Sequence, residues 1–198
     1  MSIRKGAGRM KKGTMKNHNQ CKLVTGFTVV ELMVALAALA IVILIAVPGS
    51  SAVIEKYQLR STSNDLHHGL SLARTESHSR SMVVRLCPSS NGHTCRSDGN
   101  WNHGWLVYSD GNGDGAVQDI ELIRVFEAPP PKIRIMAKGA VQSSASFTTA
   151  GLMHEDDSPE GEFLICITDS NASAKKVNID ADGWVHAVPV GGQDCRQG

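Results

Sequence analysis

The 198-residue sequence lacks the short motifs that usually mark a catalytic centre. It contains no G-x-S-x-G nucleophile turn, no P-loop, no H-E-x-x-H zinc motif and no dinucleotide-binding fingerprint. Its eight histidines are scattered along the chain. Aromatic residues make up only 5% of the chain, but 41% of the residues are hydrophobic, which excludes collagen-like, rod-like and wholly disordered proteins. We therefore expect that the protein is not an enzyme.

Acidic residues are absent from the first 26 positions, which carry seven basic ones. A 21-residue apolar run follows at Phe27–Val47, with a single charge at Glu31. As a helix this run would span roughly 31 Å, about the thickness of the hydrocarbon core of a bilayer. There is no second run of this kind, and residues 48–198 carry 13 basic and 18 acidic residues. The asymmetry predicts a single span of the inner membrane, with the N-terminus cytoplasmic and the C-terminal part periplasmic.

Two simpler interpretations of this region are a secretory signal peptide and a plain membrane anchor. A signal peptide would have an apolar core of only about 7–15 residues, with a small-residue cleavage site such as Ala38-Leu39-Ala40. Neither interpretation explains Glu31, because a carboxylate in the middle of a bilayer costs roughly 2.5–3.5 kcal/mol. An acid within the membrane indicates a functional group that has a partner.

The junction between the basic and apolar segments suggests that partner. Cleavage after Gly26 would leave the amine of Phe27 at the start of an apolar helix, and Glu31 lies four residues on, on the same helical face. The amine and the carboxylate would neutralise each other, within one helix or between neighbouring helices. The second arrangement favours side-by-side packing of similar helices.

This arrangement resembles the processing site of the type IV pilin and pseudopilin superfamily, carried here by GFTVVEL at residues 26–32. The apolar run and Pro48, the twenty-second residue after the cut, are also similar to that family, although the 26-residue leader is long for it. The resemblance implies that prepilin peptidase cleaves between Gly26 and Phe27 and methylates the new amine. It also implies that Glu31 pairs with the N-terminus of a neighbouring pilin or pseudopilin during assembly.

The remaining chain predicts an α+β fold. A buried helical stripe is expected at Leu59, Leu66, Leu70, Ala73 and Ser77. We expect one long N-terminal helix from about residue 27 to 80, kinked at Pro48, spanning the membrane in its first half and packing on an antiparallel β-sheet or small sandwich. Eight strands are expected, at residues 82–87, 105–108, 120–126, 132–136, 146–148, 162–168, 175–179 and 184–188. The predicted regions are a leader (1–26), a transmembrane helix (27–47), a periplasmic helix continuation (48–81) and a β-rich periplasmic domain (82–198).

Most of residues 22–126 also resemble the FimT/FimU and pseudopilin H group. The similarity lies in the helix end ARTES at 73–77, CPS at 87–89, GWLVY at 104–108, DGNGDG at 110–115 and ELIR at 121–124. It implies a minor pilin that helps to start assembly of a type IV pilus or sits near its tip. The alternative is a minor pseudopilin H of a type II secretion system, which acts in protein secretion.

A third hypothesis, a DNA-binding minor pilin for natural transformation, comes from FimT-like proteins that use arginines near the C-terminus. The tail here has one arginine, Arg196, and the processed chain is acidic. Local basic clusters occur only at Lys175-Lys176 and at Lys132, Arg134 and Lys138. Because phosphate binding needs clustered positive charge, nucleic acid is not an expected partner.

Four cysteines remain after removal of the leader, which contains Cys21. Cys87, Cys95, Cys166 and Cys195 allow three pairings in an oxidising compartment. The resemblance favours Cys87–Cys95 and Cys166–Cys195. The alternative is a zinc site that combines cysteines with His93 or His186, although no C-x-x-C is present.

One further motif fits a calcium-binding loop. Asp110, Asn112, Asp114, Gly115 and Glu121 occupy positions one, three, five, six and twelve of the template. The flanking segments are predicted strands, so the motif does not belong to an EF-hand. A tight glycine-rich turn explains the same residues, and both interpretations are kept.

Overall fold

The structure is a computed structural model that describes residues 26–46, 50–153, 160–168 and 173–196. Most of the predicted leader and the predicted kink at Pro48 lie outside the described residues. The chain divides into two units, Met1–Ile45 and Ala46–Gly198.

The first unit holds helix α1, Val29–Ala46. Gly26, Phe27 and Thr28 precede it without helical structure. The helix starts at Val29 because Thr28 caps it: the Glu31 backbone N–H donates to Thr28 Oγ1 at 3.2 Å, and the Leu32 N–H to Thr28 O at 3.1 Å.

The second unit begins with helix α2, Ser50–Arg80. Its predicted stripe is buried, since Leu59 is 3% exposed and Leu66, Leu70, Ala73 and Ser77 are fully buried. The helix ends because Ser81 adopts a left-handed conformation with φ 52°, and the Met82 N–H then donates to Ser77 O at 3.3 Å. This is the bond of a Schellman C-terminal cap.

Within the described residues of the second unit, eight strands form two antiparallel sheets. The first sheet has the order β3-β2-β1-β5, and the second has the order β4-β6-β7-β8. The strands are β1 Val83–Pro88, β2 Trp105–Asp110, β3 Leu122–Phe126, β4 Ile133–Gly139, β5 Ala145–Phe147, β6 Gly161–Ile167, β7 Ala174–Ile179 and β8 Val185–Val190. Each overlaps its predicted segment, with ends that differ by three residues at most.

A single main core joins α2 to both sheets. Trp101, in a short 3₁₀ helix at Trp101–His103, links the sheets: its ring meets Phe163 of β6 edge-to-face at 4.9 Å, and its Nε1 donates to Gln142 O at 3.1 Å. Asn102 covers the free edge of β4, because its side chain bonds both the N–H and the carbonyl of Ile135. The predicted α+β class is confirmed, with two sheets packed around one helix.

Candidate functional site

The predicted cleavage site lies in an exposed, non-helical segment. The side chain of Phe27 is 84% exposed. Among the described residues, a Cβ added to Gly26 would meet no heavy atom within 4 Å, and the Gly26 backbone is not left-handed. Neither packing against those residues nor backbone conformation therefore requires glycine at position 26.

Glu31 lies in the first turn of α1, on an exposed part of the helix. With Thr28 it forms the sequence T-x-x-E of a capping box, which explains an acid here through helix initiation alone. This local role was not among the predictions from the sequence, although the spacing of Thr28 and Glu31 was a sufficient signal. Acids in the first helical turn are also favoured by the helix dipole.

The large apolar side chains of α1 are exposed among the described residues. Ten of them between Val29 and Ile43, and Phe27 just before the helix, are each at least 50% exposed. A surface of this kind marks contact with a membrane or with another protein. Within the described residues, no helix combines the length and the apolar character that crossing a bilayer requires.

The four cysteines of the second unit form two disulfides. Cys87 bonds Cys95 with their Cα atoms 5.5 Å apart, and Cys166 bonds Cys195 with their Cα atoms 6.0 Å apart. Both separations lie in the normal range for disulfides. With their sulfur atoms so engaged, none of these four cysteines offers a thiolate to zinc. Nδ1 of His93 instead lies 3.8 Å from Oδ1 of Asp119, and Nε2 of His186 lies 2.8 Å from Oδ2 of Asp180.

Arg74 fastens the end of α2 to two distant turns. Its Nε donates to Gly151 O at 3.1 Å and its Nη2 to Asp182 O at 3.2 Å. The guanidinium also stacks on Trp184, 4.4 Å from the ring centroid. The sequence placed Arg74 on the helix without a role, because its partners lie 77 and 108 residues away along the chain.

The loop between β2 and β3 contains the calcium template. Asp110 is 4% exposed; its Oδ2 pairs with Arg85 Nε at 2.9 Å, and its Oδ1 accepts from the Gly115 N–H at 3.3 Å. Asn112 Oδ1 accepts from the Asp114 N–H at 3.0 Å, and Asn112 Nδ2 donates to Asp114 Oδ2 at 2.8 Å. These bonds hold the turn. Among the described residues, no three histidine, cysteine or acidic side chains are grouped closely enough to hold a metal ion.

Two buried groups adjoin this loop. Glu121 is 8% exposed, and its Oε2 has no hydrogen-bond partner among the described residues. The Tyr108 hydroxyl donates to Gly115 O at 3.1 Å. Burial raises the pKa of Tyr108 to about 12; nearby Arg85 lowers this pKa, whereas the carboxylates of Asp110, Glu121 and Asp114 raise it.

The predicted basic residues of β4 and β7 do not all lie on one face of the second sheet. Lys175 and Lys176 are consecutive on β7, so their side chains lie on opposite faces of the sheet. Lys176 pairs with Glu162 at 2.9 Å, and Lys132 pairs with Glu55 at 2.6 Å. Arg134 and Lys138 share one face of β4, but Lys138 stands opposite Glu162. Acidic neighbours thus offset much of the positive charge that a phosphate backbone would need.

An exposed apolar helix, a second helix packed on antiparallel sheets and two disulfides are the arrangement that the sequence predicted for the type IV pilin and pseudopilin class. The chain belongs to the family described as type II transport protein GspH, whose model matches residues 62–183, more than half of the chain. It is therefore a minor pilin or pseudopilin, and the superfamily resemblance seen in the sequence is confirmed. No curated protein matches the chain by sequence.

The chain is also similar to solved structures. The type IV minor pilin FimU of Pseudomonas aeruginosa PAO1 matches with a TM-score of 0.51 and 18% identity, over 68% of this chain and 91% of that one. A second crystal form of FimU gives a TM-score of 0.48 over 66% and 93% of the two chains, again at 18% identity. The minor pseudopilin EpsH from the type 2 secretion system of Vibrio cholerae gives 0.48 at 7% identity, over 66% and 96%. At these identities the first match shows a shared fold.

Proposed function

We propose that this chain is a minor subunit of a type IV pilus, processed between Gly26 and Phe27 by prepilin peptidase and held in the inner membrane by α1 before assembly. The second unit then faces the periplasm, and the subunit helps to start the pilus or to form its tip. Its role is structural rather than enzymatic. Other pilins or pseudopilins are its partners.

The exposed apolar surface of α1 carries this proposal. Moving one valine, leucine or isoleucine side chain out of water contributes about 1.5–3 kcal/mol. For the eleven exposed side chains the gain is on the order of 15–30 kcal/mol, an upper estimate, and lipid or neighbouring helices provide it. A helix that is apolar on all sides suits both environments in turn, first the bilayer and then the core of a filament.

The region around Gly26 supports recognition by an enzyme. Because no described residue packs against position 26, we explain the glycine by a binding partner that needs close access to the backbone. Cleavage there creates a cation at Phe27. In an apolar bundle, pairing that cation with the Glu31 carboxylate of a neighbour removes the cost of leaving both charges unpaired.

A deletion strain tests the choice of filament. We expect loss of most surface pili, counted by electron microscopy, with normal export of secreted enzymes. A plasmid copy of the chain should restore the pili. Retained pili together with blocked enzyme export would assign the chain to a type II secretion system and contradict the proposal.

A further inference from the structure

We infer that Thr28 positions the bond between Gly26 and Phe27 for prepilin peptidase, because it fixes the residue at which α1 starts. The inference rests on the proposed processing and adds the residue that keeps the scissile bond outside the helix. Cleavage is a hydrolysis in which water adds to the Gly26 carbonyl, Gly26 leaves as a carboxylate and Phe27 leaves as an amine. Thr28 acts on the start of the helix and is a positioning residue for this reaction.

The cap on α1 determines where the helical hydrogen bonds begin. Thr28 Oγ1 accepts from the Glu31 N–H at 3.2 Å, and Thr28 O accepts from the Leu32 N–H at 3.1 Å. The carbonyl of an N-cap residue accepts the first hydrogen bond of its helix. The helical bonds therefore begin at Thr28, and the Gly26 carbonyl lies two residues before them, in the non-helical segment.

The neighbouring sequence determines where α1 would start without this cap. Serine, threonine, aspartate, asparagine and glycine are the favoured N-cap residues. None of these residue types occurs at positions 29–47, whereas Gly26 lies two residues upstream of Thr28. If Gly26 became the N-cap, its carbonyl would accept from the Val30 N–H, four residues further on. Loss of the Thr28 cap therefore draws the scissile carbonyl into the helix.

A peptide bond in the first turn of a helix is a poorer substrate than the same bond in an open segment. Its carbonyl is already hydrogen-bonded, so the turn has to open before a peptidase acts on it. The apparent affinity of the enzyme for the chain falls in proportion to the open fraction. In the structure the bond is in the open state, because Gly26, Phe27 and Thr28 are not helical and Phe27 is exposed.

Pulse–chase labelling of the full-length chain tests this role, in a strain that has prepilin peptidase and in one that lacks it. We expect Thr28→Val to slow conversion of the precursor about three- to fivefold, since a cap changes the equilibrium for the helix start by a factor of about five. Valine has nearly the shape of threonine and a similar helix propensity, but it has no hydroxyl. Conversion is slowed and not blocked, so the N-terminus reached at the end is still Phe27.

Thr28→Ser and Thr28→Asn are the matched controls. Both residues cap helices at least as well as threonine, but neither is branched at Cβ, so conversion should stay within about 1.5-fold of the wild-type rate. With purified peptidase in detergent, Thr28→Val should raise KM and leave kcat unchanged, because the bound segment is open in every variant. A fall in kcat would instead show that the Thr28 side chain contacts the reacting groups, which contradicts the inference.

Two results in the labelled cells separate this inference from the proposed processing. Thr28→Val converted at the wild-type rate, or Thr28→Ser and Thr28→Asn slowed as much as Thr28→Val, would overturn the role of the cap while the wild type is still cleaved. A wild-type chain that stays uncleaved in the strain with the peptidase would overturn both the role of Thr28 and the proposed processing.

Discussion

At the scale of single residues, Glu31 has two physical explanations that make different demands on its side chain. At position N3 of a capping box, three residues after Thr28, it needs only a hydrogen-bonding group, which glutamine supplies as well as glutamate. As the partner of a neighbouring amine it needs a negative charge. Thr28 takes part in helix capping only: its Oγ1 accepts a hydrogen bond from the Glu31 N–H, and its side chain carries no charge that could pair with an amine.

Glu31→Gln and Thr28→Ala separate the two roles. Glu31→Gln keeps the cap and removes the charge, so we expect normal cleavage but loss of the protein from sheared pili. Thr28→Ala weakens the start of the helix by about 1 kcal/mol and keeps the charge, so incorporation should persist. Mass spectrometry of the protein from membranes should give an N-terminus at Phe27 for both variants. An intact leader in the wild type, or normal incorporation of Glu31→Gln, would contradict the proposed mechanism.

At the scale of elements, the close approach of α2 to the first sheet depends on Gly69. A Cβ at this position would lie 2.9 Å from Leu86 Cδ1, 3.2 Å from Trp105 Nε1 and 3.3 Å from Phe126 Cε2. All three neighbours are buried, so they have little room to move aside. Glycine is the worst helix former after proline, and its presence in the middle of α2 is explained by this packing.

The substitution Gly69→Ala compares two opposing effects on the free energy of unfolding: a gain in helix propensity and a loss from overpacking the core. Alanine stabilises a helix by about 1 kcal/mol relative to glycine, whereas overpacking a core costs about 1–3 kcal/mol. We expect a net decrease of about 1 kcal/mol in the free energy of unfolding, measured in urea. Asn64→Ala, at an exposed position of the same helix, gains propensity without overpacking and should increase stability slightly. A stabilised Gly69→Ala would show that the neighbours accommodate a methyl group freely.

Local sequence patterns predicted the helices and strands well, because the periodicity and residue types that favour each element lie within the element itself. The stripe from Leu59 to Ser77 follows the helical period, and the eight strands are rich in β-branched residues between turns. A small sandwich was one of the expected architectures, but the assignment of strands to its two sheets was not predictable, since β5 returns to pair with β1 and β4 pairs with β6 through contacts between distant segments. The hydrogen bonds of Arg74 and the close packing at Gly69 also join segments that are distant in the sequence, so the pattern did not predict them.

At the scale of the whole molecule, each disulfide belongs to a small apolar cluster outside the main core. Cys87 packs with Leu106 and Tyr108 beside the first sheet. Cys166 packs with Leu164 and Ala174 beside the second sheet, where Cys195 adjoins them. The two bonds differ chiefly in the length of chain that they close, 8 residues of sequence separation against 29.

This difference predicts unequal losses of stability when each pair is replaced by alanine. A crosslink restricts the unfolded chain more when it closes a longer loop, and the chain-entropy relation gives the Cys166–Cys195 bond about 1 kcal/mol more stabilisation than Cys87–Cys95. We expect the loss of Cys166–Cys195 to lower the free energy of unfolding by about 3–4 kcal/mol, and the loss of Cys87–Cys95 by about 2–3 kcal/mol. Urea unfolding of the two double variants, with the reduced wild type as the state that lacks both bonds, measures these values. Equal losses, or a larger loss for Cys87–Cys95, would show that packing in the small clusters, rather than loop closure, determines what each bond contributes.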